Sequence, residues 1–304
     1  MIALFDAHCD TITRIHAKGE MLRRNTGHWD GERARSFAPC AQFFAIYGEP
    51  FDDCYPFFLA QMQAHQEMVS FCRNAKEAEQ AAQAGKLAAF LSIEGAEAIH
   101  CDESRLREIA EKGVRMISLT WNHINRLSGS NAQDADKGLT KEGRAFVQTL
   151  KPLPVLLDVS HLSDPGFWDV ADLMEGRPFV ASHSNARAVT AHRRNLTDEQ
   201  FAALVRSGGF VGVNLYAPFL SQKPQPGWDD VYAHMDHFWS LGGENTLGLG
   251  CDLDGCDDLP AGLTGVDGLH ALYAYLLARR VPEALLQKFF YANLLGVVKA
   301  VCDM

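Results

Sequence analysis

The chain has 304 residues, 47% of them hydrophobic, which suffices for one large domain or two ordinary ones with a substantial core. Its formal net charge is −10 and its Lys and Arg residues are scattered, so a nucleic-acid partner is not expected. We find no apolar run of about 18 residues and therefore expect no membrane partner. Because the first apolar run begins at Ile2, we expect no signal peptide and a cytoplasmic protein.

Eight apolar runs with the length of buried strands recur along the chain. They cover 2–8, Cys40 to Tyr47, Leu87 to Glu94, Val114 to Thr120, Val155 to His161, Phe179 to His183, Phe210 to Asn214 and Thr246 to Asp252. Helical periodicity marks 55–84, 103–112, 140–150, 165–175, 197–207, 229–241 and 261–303. Alternating strands and helices predict a parallel sheet, and eight repeats predict a (β/α)8 TIM-like barrel formed by residues 1–304 as a single α/β domain. A doubly wound sheet is the alternative, because periodicity does not show whether the sheet closes.

Local signals mark helix ends and loops. Thr140 and Thr197 stand where helix-capping residues belong, and Gln200 stands at the capping-box position. The least regular stretches, 18–40 and 216–230, are predicted to be loops over the barrel mouth. The eight cysteines form no C-x-x-C pair and are expected to be reduced thiols.

The stretch Asp6-Ala7-His8-Cys9-Asp10 ends the first predicted strand. Residues two apart on a strand point to the same face, so His8 and Asp10 present an imidazole and a carboxylate side by side. That pair suits a divalent metal such as zinc. Cys9 points to the opposite face and is not expected to touch the metal.

Polar residues also close four later strands, and these residues are Glu94, His161, His183 and Asp252. Each alone is more commonly a turn or cap residue. The carboxyl ends of barrel strands form the active-site face, however, so the joint set is predicted to converge with His8 and Asp10. Three imidazoles and two or three carboxylates exceed the needs of one tetrahedral zinc but suffice for two metals that share a carboxylate. Such a pair can hold a bridging hydroxide and polarise the bond that it attacks.

Six motifs occur along nearly the whole chain, in this order: Asp6-Ala7-His8-Cys9-Asp10-Thr11, Ile93-Glu94-Gly95, Leu157-Asp158-Val159-Ser160-His161, Ser182-His183-Ser184, Arg193-Arg194-Asn195 and Gly250-Cys251-Asp252-Leu253-Asp254-Gly255. Together they resemble the membrane dipeptidase (renal dipeptidase) family of the amidohydrolase superfamily. The resemblance implies a (β/α)8 barrel with two zinc ions that hydrolyses dipeptides, often with a tolerated D-residue at the C-terminal position.

The resemblance also implies roles for individual residues. By position, His8 and Asp10 resemble the ligands of one metal, and His161 and His183 resemble those of the other. Glu94 resembles the carboxylate that bridges the two metals.

Two further roles and one departure follow from the same resemblance. Asp252 is similar to the family's catalytic acid and base, and Arg194 is similar to the residue that binds the substrate's C-terminal carboxylate. Where well-known members have a histidine that helps to polarise the substrate carbonyl, this chain has Trp121. His123, two residues later, is a candidate substrate-binding replacement; a loop histidine that faces solvent is the alternative.

The leading hypothesis is a binuclear zinc dipeptidase acting on small dipeptides with a free C-terminal carboxylate, L,D-dipeptides included. One alternative is another amidohydrolase that acts on a lactone or a cyclic amide, although Arg194 favours a substrate with a carboxylate. The other alternative is a non-catalytic metal-binding relative, which would not need Asp252. A homodimer is left open.

Overall fold

Nine strands occur within residues 1–303, which the computed structural model describes. They are β1 Leu4–Cys9, β2 Cys40–Tyr47, β3 Val69–Phe71, β4 Leu87–Glu94, β5 Val114–Ser118, β6 Leu156–Asp158, β7 Val180–Ala181, β8 Phe210–Val213 and β9 Leu247–Leu249. All pairings are parallel; β1 pairs with β9 and β2, and β2 pairs directly with β4, so eight strands close a ring. The predicted (β/α)8 barrel is confirmed, and the doubly wound alternative is wrong.

The strand β3 was not predicted, because it lies within a stretch with helical periodicity. Its residues pair with Leu87, Ala88 and Ala89 at the start of β4, whereas β5 pairs with the later part of the same strand. β3 therefore lies outside the closed ring, at the end of the barrel where the strands begin. The single helical segment predicted over 55–84 is consequently wrong.

Helices surround the barrel. They are α1 Thr11–Lys18, α2 Gly31–Ala34, α3 Phe51–Ala64, α4 Ala75–Gln83, α5 Leu106–Glu111, α6 Lys141–Leu150, α7 Asp164–Leu173, α8 Asp198–Ser207, α9 Ala217–Leu220, α10 Trp228–Ser240, α11 Leu269–Ala278, α12 Glu283–Gln287 and α13 Asn293–Cys302.

The predicted caps are confirmed: Thr140 Oγ1 accepts a hydrogen bond from Gly143 N at 3.0 Å, and Thr197 and Gln200 cap α8 reciprocally. All eight cysteines lie in the described part of the chain and are free thiols.

An aromatic cluster fills the barrel beneath the strand ends. The ring centroids of Phe5, Phe43 and Phe90, from three adjacent barrel strands, lie 5.0–5.8 Å apart. Phe90 and Glu94 are four residues apart on β4 and so share its inward face. The barrel interior is therefore apolar below and polar at the carboxyl ends of the strands.

The predicted helical stretch 261–303 contains α11, α12 and α13, and its last part is strongly apolar. Residues Glu283–Cys302, which form α12, α13 and the π-helical turn between them, are long and apolar enough to cross a membrane by length and composition alone. Half of the segment's most apolar stretch is buried. Since α13 contacts β1 and β6, which lie opposite each other in the ring, it covers the end of the barrel where the strands begin. Packing against the barrel accounts for the apolar composition.

Candidate active site

The five predicted metal ligands meet at the carboxyl ends of the barrel strands. His8 Nε2 lies 3.5 Å from Asp10 Oδ2 and 3.5 Å from Glu94 Oε2. The other oxygen, Glu94 Oε1, lies 2.9 Å from His161 Nε2 and 3.4 Å from His183 Nε2. Glu94 therefore directs one oxygen toward each predicted ligand pair, as a bridging carboxylate does.

Two of these ligand atoms are buried without a hydrogen-bond partner. They are His8 Nε2 and Asp10 Oδ1. A buried polar atom left unpaired costs about 1–3 kcal/mol, so native structures seldom tolerate two side by side without a reason. Nitrogen and oxygen donors of this kind are the ligands that zinc and related metals prefer. The donor set and its unsatisfied atoms therefore fit a bound metal.

The charge balance around His8 also favours a cation. Burial opposes a charged imidazole, but the negative charges of Glu94 and Asp10 outweigh burial and hold the pKa of His8 well above its ordinary value. A positive charge is thus strongly stabilised between these carboxylates. A metal ion would supply that charge in place of the proton.

His161 and His183 are held in the neutral form. Burial, together with repulsion from Arg194, lowers the pKa of His161 to about 4. Burial and the charge of His8 keep the pKa of His183 well below its ordinary value. Neutral imidazole is the form that binds metals.

A bulge in β1 places its ligands. Asp6 is aligned with Gln42 of β2 and Cys9 with Phe44, so three steps on β1 match two on β2. This extra residue allows Phe5 to pack in the aromatic cluster while His8 faces the metal centre. As predicted, Cys9 packs in the hydrophobic core and not among the ligands.

Asp252 stands beside the ligands, in a strained turn after β9. Its φ of +60° lies in the left-handed region, which is uncommon for residues other than glycine. Its Oδ2 accepts a hydrogen bond from Asn214 Nδ2 at 3.0 Å, and its Oδ1 lies 3.9 Å from His8 Nε2. Burial raises the pKa of Asp252 to about 7, with attraction by His8 opposing this increase and repulsion by Asp10 adding to it. A carboxyl group near neutrality can both accept and donate a proton.

Gly255 closes this turn, and its lack of a side chain has a clear cause. A Cβ at this position would collide with Asp10 Oδ2 and Asp252 Oδ1. The neighbouring Asp254 has a structural role: it accepts hydrogen bonds of 2.6 Å from Thr11 Oγ1 and His28 N. Asp254 thereby attaches the predicted mouth loop, residues 18–40, to the site.

The sequence analysis missed the residues that orient the two neutral histidines. Asn122 Oδ1 lies 2.8 Å from His161 Nδ1 and, as an amide oxygen, accepts a hydrogen bond from the Nδ1–H group. Ser182 Oγ lies 2.7 Å from His183 Nδ1 and donates its own proton to Asp158 Oδ2. Both histidines therefore carry the proton on Nδ1 and direct the Nε2 lone pair at Glu94, an arrangement typical of metal ligands.

Asp158 anchors both histidine segments at once. Its Oδ1 accepts hydrogen bonds of 2.9 Å from the backbone N–H groups of Ser160 and Ser182, which directly precede His161 and His183. Nothing in the spacing of a single sequence distinguishes this carboxylate from the predicted ligands, because it too lies at the end of a strand.

Arg194 lies at the wall of a cavity of about 350 Å³ that opens above the ligands. Its guanidinium is buried, yet it forms no salt bridge with any carboxylate among residues 1–303. Nη2 lies 3.0 Å from His161 Nε2, Nε has no hydrogen-bond partner, and Cζ lies 5.4 Å from the ring centroid of Phe219. A buried guanidinium without an anion is suited to bind a carboxylate from outside.

His123 is not among the groups that converge. It is exposed, its ring meets that of Trp121 edge to face at 5.2 Å, and it lines a neighbouring cavity instead of the one beside Arg194. Trp121 and Asn122 line the cavity at the ligands. A substrate-binding role for His123 stays a prediction.

The fold and the site define a metal-dependent hydrolase of the barrel type. The sequence profile of the membrane dipeptidase family (Peptidase family M19) matches residues 1–304, and the chain belongs to this family. It is a metal-dependent dipeptidase.

Solved structures agree with this placement. A metallo peptidase from Rhodobacter sphaeroides, liganded with a phosphinate mimic of the dipeptide L-Ala-D-Ala, is 31% identical with a TM-score of 0.89 over 99% of both chains. A metallo peptidase named dipeptidase AC is 32% identical with a TM-score of 0.88, over 100% of this chain and 99% of its own. An uncharacterized protein in the pqqA 5′ region of Klebsiella pneumoniae is 34% identical over 270 residues, which are 84% of this chain and 99% of that protein.

Proposed function

We propose that the chain is a binuclear zinc dipeptidase that hydrolyses dipeptides with a free C-terminal carboxylate, L,D-dipeptides included. The observation that carries the proposal is the position of Glu94, whose two oxygens lie between the His8 and Asp10 pair and the His161 and His183 pair. The phosphinate mimic of L-Ala-D-Ala bound by the Rhodobacter sphaeroides relative supports a D-residue at the C-terminal position.

The five ligands divide between two metals. His8 and Asp10 would hold one zinc, His161 and His183 the other, and Glu94 both. When bound, two such ions supply an activated hydroxide and polarise the scissile carbonyl. The tautomers set by Asn122 and Ser182 already direct both neutral imidazoles at this position.

Asp252 moves the proton. Asn214 occupies its Oδ2, so its Oδ1, which faces His8, is the oxygen that is free to exchange a proton with the attacking water and the leaving amine. Burial gives this carboxyl the affinity for a proton that the transfer needs, and the charge of nearby metal ions would moderate it.

Arg194 binds the C-terminal carboxylate of the substrate. A dipeptide differs from a longer chain in that its free C-terminal carboxylate lies only one residue beyond the peptide bond that is cleaved. The guanidinium lines the same cavity as Glu94 and Asp252 and lacks an internal carboxylate partner. A lactone or a cyclic amide would leave this buried cation unpaired.

Metal analysis tests the binuclear proposal directly. Protein prepared with excess zinc and then freed of loosely bound metal should contain about two equivalents per chain. Glu94→Ala should lose much of both, because each ion loses one ligand, whereas Glu103→Ala, at an exposed glutamate, should lose none. Wild-type protein that never exceeds one equivalent would contradict the proposal.

Zinc-loaded protein should be assayed against matched L,L- and L,D-dipeptides. Hydrolysis of both series is expected, with no cleavage of tripeptides that extend beyond the Arg194 carboxylate site. If L,D-dipeptides are left intact while L,L-dipeptides are cleaved, the stereochemical part of the proposal is wrong.

A further inference from the structure

A second cavity, of about 500 Å³, adjoins the catalytic cavity and has no role in the chemistry described above. Tyr47, Glu94 and Trp121 line both cavities. The rings of Tyr47 and Trp121 have centroids 4.9 Å apart and stand at the boundary. The second cavity therefore reaches the metal centre beside Glu94.

The order of the strands places this cavity opposite Arg194. Around the ring the strands follow the order β1, β2, β4, β5, β6, β7, β8, β9. The second cavity lies among the segments that follow β2, β4 and β5, whereas Arg194 follows β7. Since β2 and β7 are four places apart in this ring, the metal centre lies between Arg194 and the second cavity. A dipeptide with its carboxylate at Arg194 and its peptide bond at the metals directs its N-terminal residue toward the second cavity.

Carboxylates predominate in the second cavity. Besides Glu94, its lining contains Glu49 and Glu97, it contains no Lys or Arg, and its one basic side chain is the imidazole of His123. Glu49 Oε2 already pairs with His16 Nδ1 at 2.7 Å. Glu97 accepts a hydrogen bond from the neutral amide of Asn125 at 2.8 Å and forms no ion pair within the described chain.

Gly95 leaves room for the carboxylate of Glu97, whose side chain is exposed. Gly95 has a φ of +86°, and a Cβ there would lie 2.6 Å from Glu97 Oε2. The absence of a side chain allows the carboxylate to fold back against the end of β4, one residue beyond Glu94. A negative charge is thus held at the wall of the cavity next to two aromatic rings.

We propose that this cavity is the subsite for the N-terminal residue of the dipeptide and that Glu97 selects a cationic side chain, arginine or lysine, at that residue. This inference rests on the proposed dipeptidase function. Tyr47 and Trp121 supply aromatic faces that attract a guanidinium or an ammonium group. Glu97 supplies the carboxylate that accepts its hydrogen bonds, and Glu49 adds to the negative potential.

Citrulline provides a matched substrate, because it has the shape of arginine without the charge. For the zinc-loaded full chain, kcat/KM should be about tenfold higher for L-arginyl-D-alanine than for L-citrullinyl-D-alanine, as expected for one charge-assisted hydrogen bond in a partly exposed site. The preference should shrink at high salt. Equal kcat/KM values for the two substrates would overturn the inference.

Glu97→Gln should bring the ratio of the two kcat/KM values close to one, by slowing only the arginyl substrate. An amide at this position still accepts the hydrogen bond from Asn125, and unchanged cleavage of the citrullinyl substrate shows that the fold and the metal centre are intact. Glu103→Gln, an exposed glutamate in the segment after β4, should keep the wild-type ratio. A Glu97→Gln enzyme that retains the full preference for arginine would contradict the assignment.

The two proposals fail in different ways. Hydrolysis of no dipeptide by the zinc-loaded protein contradicts the dipeptidase function and the subsite with it. Hydrolysis of both substrates at equal rates leaves the dipeptidase function standing and overturns the subsite alone.

Discussion

The two ends of the barrel are built by the same strands but have opposite physical character. On β4, Phe90 packs among aromatic rings, whereas Glu94, four residues later on the same face, belongs to a group of carboxylates and imidazoles. One end is covered by α13, and the other contains buried polar atoms without partners. The apolar end stabilises the fold. The polar end lowers the stability of the fold, because it keeps carboxylates and imidazoles buried and close together at the site. Substitutions at the two ends should therefore separate stability from activity.

The largest effect is expected at the polar end, from Asp252→Asn. The variant keeps the hydrogen bond from Asn214 but cannot exchange a proton, so kcat should fall by about 10²–10⁴. Its zinc content and its melting temperature should stay close to those of the wild type. The change in kcat is measured by steady-state kinetics on protein of known metal content. Near-normal kcat would assign the proton transfer to another group.

Phe90→Ala should show the reverse pattern at the apolar end. Removal of a buried phenylalanine from the aromatic cluster should lower the free energy of unfolding by about 3–5 kcal/mol, with kcat of the folded protein close to the wild-type value. Denaturant titration measures the loss. Leu277→Ala, at an exposed leucine of α11, is the control and should change the free energy of unfolding by less than about 0.5 kcal/mol. A large fall in kcat for Phe90→Ala would show that the two ends are coupled.

Arg194→Met sharpens the comparison, because it exchanges a buried, unpaired charge for an apolar side chain. Cleavage of free dipeptides should fall about ten- to hundredfold in kcat/KM, the value of a lost charge-assisted bond. C-terminally amidated dipeptides should be affected far less, and the free energy of unfolding should not decrease. Equal losses on free and amidated substrates would make Arg194 a structural residue.

The last substitution, Ser182→Ala, lies one layer behind the ligands, and its effect should be no larger than that of Arg194→Met. Loss of the hydroxyl that orients His183 should weaken binding of one metal by about 10- to 100-fold, as is typical for such partners. Metal titration against a competing chelator separates the two binding steps. Ser182→Thr, which retains a hydroxyl, should restore much of the affinity. Unchanged titration of both metals in Ser182→Ala would mean that His183 needs no such support.

Much of the fold could be predicted because each barrel strand overlaps one short apolar run of the sequence, and most of these runs are closed by a polar residue. The convergence of His8, Asp10 and Glu94 followed from the rule that parallel strands bring their carboxyl ends together. The strand β3 could not be predicted, since three residues within a helical pattern give no periodic signal. The segment 283–302 was predicted to be helical as part of 261–303, but its packing over the closed end of the barrel could not be predicted, because its contacts lie with strands distant in sequence.

The supporting residues of the site were harder to predict than its ligands. Asn122 and Asp158 act through hydrogen bonds to partners distant in sequence, and neither composition nor spacing reveals such pairs. Ser182 is adjacent to His183, but adjacency alone does not show that the two side chains meet. The backbone after β5 brings Asn122 to His161 and leaves His123 exposed, and the substrate-binding role of His123 stays a prediction. An asparagine beside a tryptophan carries no obvious chemical signal until the fold shows what it touches.

The cover that α13 forms over one end of the barrel has a kinetic consequence. Because that end is covered and packed with aromatic rings, a dipeptide must enter, and both amino acids must leave, at the opposite end of the barrel, where Glu94 lies. Substrate entry and product release therefore use the same end of the barrel. A product that dissociates slowly blocks the binding of the next substrate. If Arg194 binds the carboxylate of the dipeptide as proposed, the amino acid released on that side keeps the group by which the dipeptide was held. It is the product that should compete most directly with fresh substrate as the reaction proceeds.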